Sequence, residues 1–229
     1  MATAPCLLTT LRKVKVKQAC CSALHSLCIT DNQVIYGWGN KKLTLLGMDT
    51  NEPVPLQFLN GKGLTCLAAC NTHSVAYNPK DIHVYSFGEA GPWLGFDDDS
   101  KKCSMQKATF GCIKFDSFIY QNQFVISSVQ CSTEYTLILL NTGFVGCCGV
   151  NEHGRMAIGQ QVEQSAKVLW NKSLQKIVRI SAGQYHSGYV DTKGRVYTCG
   201  YAKDHRLGHG DIETRWMPKM VEAVQNVNV

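Results

Sequence analysis

A short segment recurs four times along this 229-residue chain, and it limits the possible folds more than any single motif does. Each copy sets His or Tyr before a small residue, usually Ser or Thr, then runs into apolar residues and closes on a glycine. The copies carry His25 and Gly39, His73 and Gly88, Tyr135 and Gly149, and His186 and Gly200. A second glycine follows in each, at Gly47, Gly95, Gly159 and Gly208. A period of about fifty residues is the mark of stacked units, none of which can bury its apolar face alone.

Alignment of the copies on His25, His73, Tyr135 and His186 shows what else they share. Apolar residues precede each: Val16, Leu64, Ile126 and Ile177, then Ala19, Leu67, Val129 and Ile180. Next come small residues, Cys21, Ala69, Cys131 and Ala182, followed by Ser22, Cys70, Ser132 and Gly183. Small side chains at a fixed place predict close backbone approach, as where strands converge on an axis. After the His or Tyr, two β-rich runs flank turn formers such as Asp31-Asn32, Asn78-Pro79 and Asn141-Thr142-Gly143, the pattern of a β-hairpin. Helical periodicity is weak, so the fold class is all-β. The stretches around Pro55 and Pro218 predict a further strand that begins the next unit.

A hairpin with flanking strands makes a small sheet, and radial stacking of such sheets is a propeller. The phrases Ser181-Ala182-Gly183-Gln184-Tyr185-His186-Ser187, Gly194-Arg195-Val196-Tyr197-Thr198-Cys199-Gly200 and Leu207-Gly208-His209-Gly210-Asp211 resemble the regulator of chromosome condensation repeat. So does Ile35-Tyr36-Gly37-Trp38-Gly39-Asn40. The resemblance implies a seven-bladed β-propeller of four-stranded blades. Repeats fall at about 14–58, 62–110, 124–170 and 174–221 of a single repeat domain, and 222–229 reads as the opening strand of a fifth unit. Four repeats are an incomplete part of a seven-bladed ring, so the expectation is a fragment of a longer protein, ahead of a divergent short form or closure by a partner. The third copy departs from the pattern with Tyr135, and only the fourth has Gly183 at its place. The segment from Phe96 to Phe124 is long, and its charge run Asp97-Asp98-Asp99-Ser100-Lys101-Lys102 is expected to be an exposed loop.

Composition is that of an ordinary globular protein, with 45% hydrophobic and 17% charged residues. A net charge of +6 is modest, so nucleic acid is not the expected partner. No apolar run is long enough to span a membrane, and the N-terminus lacks the basic and apolar regions of a signal peptide. Twelve cysteines in a chain of this size suggest reduced thiols in a cytoplasmic or nuclear setting. The alternation Arg12-Lys13-Val14-Lys15-Val16-Lys17 predicts a strand with one cationic face and Val14 and Val16 turned inward. A phosphate, acidic-partner or chromatin contact through that strand would weaken steeply with salt.

The cysteines invite a zinc hypothesis through Cys20-Cys21, Cys147-Cys148, Cys66 and Cys70. Four cysteines, however, take repeat positions where the other copies hold small or apolar residues: Cys21 and Cys131 at the small place, Cys148 and Cys199 where Trp38 and Phe87 stand. Free cysteine behaves as a small buried hydrophobe, so no metal and no cofactor is expected. A histidine repeated in successive units serves each unit, by hydrogen-bonding its own loop, rather than forming an active site several times over. The repeat-structural set is therefore His25, Gly39, Gly47, His73, Gly88, Gly95, Tyr135, Gly149, Gly159, Gly183, His186, Gly200 and Gly208. Nucleophile elbows, phosphate loops and zinc-protease motifs are absent from the sequence, and no enzyme activity is expected. The expected function is a protein-interaction module or scaffold that binds a partner, or another domain of a longer chain, through its blade loops. The alternative implied by the resemblance is guanine-nucleotide exchange on a small Ran-like GTPase.

Overall fold

In the first three copies, the apolar run after each His or Tyr becomes a strand buried along almost its whole length. Burial on both faces needs a sheet on each side, and this requirement builds the molecule. The structure, a computed structural model, describes residues 6–96, 108–122 and 124–224. It contains four four-stranded antiparallel sheets, each a meander in chain order. Blade one is β1 (Val16–Cys21), β2 (His25–Thr30), β3 (Ile35–Gly39) and β4 (Thr50–Pro55). Blade two is β5 (Cys66–Ala69), β6 (His73–Tyr77), β7 (Val84–Glu89) and β8 (Ala108–Cys112). Blade three is β9 (Ile126–Ser132), β10 (Tyr135–Leu140), β11 (Val145–Val150) and β12 (Gln164–Trp170). Blade four is β13 (Ile177–Ala182), β14 (His186–Asp191), β15 (Val196–Gly200) and β16 (Arg215–Met220). These are blades of a partial all-β propeller.

Alternation along the second strands decides which blade each side chain meets. Leu27 and Ile29 of blade one pack with Ala76 and Phe87 of blade two. Val75 and Tyr77 of blade two meet Ile138, Leu140 and Cys148 of blade three. Tyr135, Leu137 and Leu139 of blade three meet Tyr189 and Cys199 of blade four. Each fully buried Leu, Ile or Val contributes about 1.5–3 kcal/mol to holding two blades together. Blade four has a covered and an uncovered face: Ser187, Tyr189 and Asp191 are buried, whereas His186, Gly188 and Val190 are partly exposed.

First strands of successive blades lie against one another on the inner side of the stack. Their small residues Cys21, Ala69, Cys131 and Ala182 sit at the ends of β1, β5 and β13 and within β9. The Gln18 amide strengthens this inner line: Oε1 accepts from Leu67 N–H and Nε2 donates to Leu67 O, both at 2.9 Å.

Several expectations need correction. The strands around Pro55 and Pro218 do not begin the next unit; β4 and β16 pair with β3 and β15 and complete their own blades. They are outer edge strands, the place where a missing proline N–H is tolerated. Residues 12–14 form a turn and bend, and β1 starts only at Val16, which is 40% exposed rather than turned inward. Within the long segment after Phe96 stand β8 and a short helix, α1 (Ser117–Gln121). The charge run 97–102 lies outside the described residues. Residues Glu222–Val224 make a helical turn, not a strand, and 225–229 lie outside the described residues.

Candidate protein-interaction face

Meander topology puts the loop between first and second strands and the loop between third and fourth strands at the same end of every blade. All four repeated His or Tyr residues open the second strand at that end. Each lies opposite its glycine in register: His25 with Gly39, His73 with Gly88, Tyr135 with Gly149 and His186 with Gly200. Gly88 shows why glycine stands there. Its φ is +136°, and a Cβ would lie 2.6 Å from Thr72 O and 2.7 Å from His73 Cα. Gly47, Gly95, Gly159 and Gly208 lie further along the same loops, all with positive φ.

The imidazoles do more than bond their own loops. His25 Nδ1 lies 2.8 Å from Ser22 Oγ in its own loop, while Nε2 lies 2.6 Å from Ser74 Oγ in blade two. His73 repeats this with Cys70 Sγ and Thr72 Oγ1 on one side, each 3.1 Å from Nδ1, and Thr136 Oγ1 of blade three at 2.7 Å on the other. Thr136 spends its own proton on Trp93 O (2.8 Å), so it accepts from His73 Nε2–H. Tyr135 extends the series with a phenol, whose OH lies 2.7 Å from Gly183 O, 3.0 Å from His186 O and 3.0 Å from Ser187 Oγ of blade four. Each hydroxyl that follows a His or Tyr in blades two to four is thus the landing point for the blade before it. Burial pushes His25 down to about 4, with nearby Cys70 opposing and His73 assisting, so this imidazole is neutral near neutral pH. In blade four, Gly183 lies where Ser22 and Cys70 stand. The His186 ring sits over it, and the buried Nδ1 has no hydrogen-bond partner among the described residues.

Arg155 fastens the same end between blades three and four. The side chain is 1% exposed. Nε donates to Val150 O (2.8 Å), one Nη to Gln184 O (3.1 Å) and the other to Glu134 Oε2 (3.0 Å). A guanidinium suits this place because its fork of donors spans the two hairpin loops. The Arg155 carbonyl in turn accepts from Ser187 Oγ at 2.5 Å.

Above this support lies an aromatic patch. His153 stacks on Tyr201 with ring centroids 4.3 Å apart, and Tyr185 meets Tyr201 edge-on at 6.3 Å. The Arg206 guanidinium lies over Tyr201, 5.5 Å from its centre. Tyr185, Tyr201, His153 and Arg206 are all partly exposed. Three exposed apolar side chains share this loop end: Leu24 and Met48 in blade one and Ile212 in blade four. The repeated elements of the sequence do not mark this patch, because it is made of residues that differ between copies. Tyr201, just past a repeat glycine, was the only signal available.

Burial pushes the Cys148 and Cys199 thiols up to about 12, which keeps them protonated and inert. Cys70 and Cys131 are different, since the packing of blade two on blade three brings them together with His73. The sequence separates Cys70 from Cys131 widely and paired neither with the other.

The regulator of chromosome condensation (RCC1) repeat pattern matches residues 193–229. The chain is 27% identical over 222 residues to the serine/threonine-protein kinase Nek9 of Xenopus laevis, covering 88% of this chain and 22% of the kinase. It is 26% identical over 218 residues to the ultraviolet-B receptor UVR8 of Arabidopsis thaliana, covering 92% of this chain and 47% of the receptor. It therefore spans less than half the length of either relative. The solved structure of Prp20p from Saccharomyces cerevisiae superimposes with a TM-score of 0.79 at 20% identity, over 96% of this chain and 54% of that one. Blade topology and superposition agree on the fold, four blades of a β-propeller, and residues 193–229 within it match a repeat of the regulator of chromosome condensation type.

Proposed function

We propose that this chain is a protein-interaction platform whose loop end, centred on Tyr185, Tyr201, His153 and Arg206, docks another protein or another domain of a longer chain. The observation that carries this is the patch itself. Tyr and Arg are over-represented among residues that dominate protein interfaces, and here they stand partly exposed on a rigid base held by Arg155. The relatives support it from another direction. A kinase and a light receptor share this stretch, and a part common to such different proteins fits a binding role better than a chemical one. No helix among the described residues is long and apolar enough to cross a membrane.

Guanine-nucleotide exchange on a Ran-like GTPase is the second reading. It is supported by the likeness to Prp20p, whose structure is described together with its binding to Gsp1p and histones. Fold likeness alone does not transfer activity, so docking is preferred. A nucleotide-release assay separates the two, since acceleration by this chain would favour exchange.

Photo-crosslinking tests the docking surface. A photoreactive residue placed at 201 is compared with one at Phe144, an exposed residue at the opposite end of the blades. Discrete protein adducts from 201 that are absent from 144 support the proposal. Equal adducts from both positions, or none from 201, overturn it.

A further inference from the structure

At the junction of blades two and three, the places held elsewhere by a hydroxyl and an alanine are both held by cysteine. Between blades one and two the equivalent set is Ser22, His25 and Ala69; between three and four it is Ser132, Tyr135 and Ala182. Among the described residues, only here do two thiols flank an imidazole. We propose that Cys70, His73 and Cys131 form a binding site for a thiophilic divalent metal ion of the Zn(II) class.

Four observations carry this. The three ligand atoms all lie within 4.8 Å of one another, and all three residues are buried. Zinc bonds of about 2.3 Å to sulfur and about 2.0–2.1 Å to nitrogen place tetrahedral donors roughly 3.5–3.8 Å apart. Cys70 Sγ and His73 Nδ1, at 3.1 Å, reach that spacing with a small side-chain rotation. The imidazole is also held in the form a metal requires. Thr136 Oγ1 donates to Trp93 O and so accepts from His73 Nε2–H, which leaves Nδ1 with a lone pair aimed at Cys70. Such an outer hydrogen bond is the usual means of fixing a metal-binding histidine. Thr72 Oγ1, 3.1 Å from His73 Nδ1 and 3.6 Å from Cys70 Sγ, stands beside the place for a fourth donor. Finally, the charges balance. Binding of a divalent ion releases the two thiol protons, and two thiolates with a neutral imidazole leave the buried site uncharged.

A bound ion would strap the inner strands of blades two and three, since Cys131 lies in β9 and Cys70 directly follows β5. The site lies apart from the Tyr185–Tyr201 patch, and it stands or falls independently of the docking proposal.

The test uses the whole chain, reduced with a phosphine and titrated with Co(II), followed by displacement with Zn(II). The expected result is one equivalent of Co(II) with a near-ultraviolet sulfur-to-cobalt charge-transfer band, bleached by Zn(II). Cys70→Ser and Cys131→Ala rebuild the site found at the other junctions, so they keep a packing the fold already uses. Each weakens binding by at least about 100-fold, the upper end of what even an outer-ligand change costs. Thr136→Val, which removes the acceptor for Nε2, weakens it by about 10–100-fold with unchanged stoichiometry. No charge-transfer band in the unaltered chain overturns the proposal. So does a band that survives in the Cys70→Ser/Cys131→Ala double variant, or a Cys70–Cys131 disulfide whose reduction leaves a chain that takes up no metal.

Discussion

His25 of blade one reaches across the junction to Ser74 of blade two, with Nε2 2.6 Å from Oγ, and both side chains are almost fully buried. The residue that looks most like repeated chemistry is thereby a fastening between neighbours. One ring nitrogen holds the hairpin loop of its own blade, and the other holds the next blade. Neutral imidazole suits this, with one nitrogen donating and one accepting.

That neutrality makes stability depend on pH. The folded His25 pKa, about 4, lies below the unfolded value, so the unfolded chain binds more protons between the two. Stability is complete above about pH 6.5 and is lost as pH falls towards 4, at a cost approaching about 3 kcal/mol from this group. His186 and His209 are also lowered by burial, with cationic neighbours assisting, and act in the same direction. Urea unfolding between pH 7.5 and 4.5 should show this slope, and His25→Gln should flatten it.

The glycine opposite each repeated residue is held by space as well as by φ. Alanine at Gly88 would press on Thr72 O and His73 Cα, backbone atoms that cannot move aside. Gly88→Ala should cost about 3 kcal/mol or more. Gly61, with φ +74° and open space around it, provides the comparison, and Gly61→Ala should cost about 1–2 kcal/mol. Thermal unfolding of the two variants checks the difference.

Arg155→Met keeps most of the side-chain volume but removes the donors to Val150 O, Gln184 O and Glu134. A loss of about 3 kcal/mol is expected, because two loop carbonyls lose charged partners in a buried place. Glu134→Gln should cost about 1 kcal/mol or less, since that carboxylate is partly solvated. Denaturant unfolding of both variants tests the asymmetry.

Removal of the partly exposed aromatic rings should separate binding from folding. The Tyr185→Ala/Tyr201→Ala double variant is expected to bind a partner captured through position 201 at least about 30-fold more weakly, the loss typical of a hot spot. Its melting temperature should stay within a few degrees of the unaltered chain. A large fall in melting temperature would make the rings structural.

Sequence spacing revealed the blades because backbone demands repeat. Each sheet needs a two-sided apolar strand, a small residue on the inner line and a glycine opposite the first residue of β2, β6, β10 or β14, and each demand leaves a residue at a fixed place. The outer strands were assigned to the wrong unit because Pro55 and Pro218 look like boundaries, while an edge strand accepts proline freely. Cross-blade partners were hidden for a different reason. Ser74, Thr136 and Ser187 are adjacent in sequence to the repeated residue of their own copy, and only packing shows that each serves the copy before. The aromatic patch and the Cys70–Cys131 pair arise where copies depart from the pattern, so the repeat itself carries no sign of them.

A double-mutant cycle on His25 and Ser74 tests the fastening most directly. Unfolding free energies are measured for the unaltered chain, His25→Ala, Ser74→Ala and the double variant. Contact across the junction predicts a coupling of about 1 kcal/mol or more, because each single change leaves the other buried group unpaired. Additive losses, with a coupling under about 0.3 kcal/mol, would contradict it and leave the repeated histidine without a role between blades.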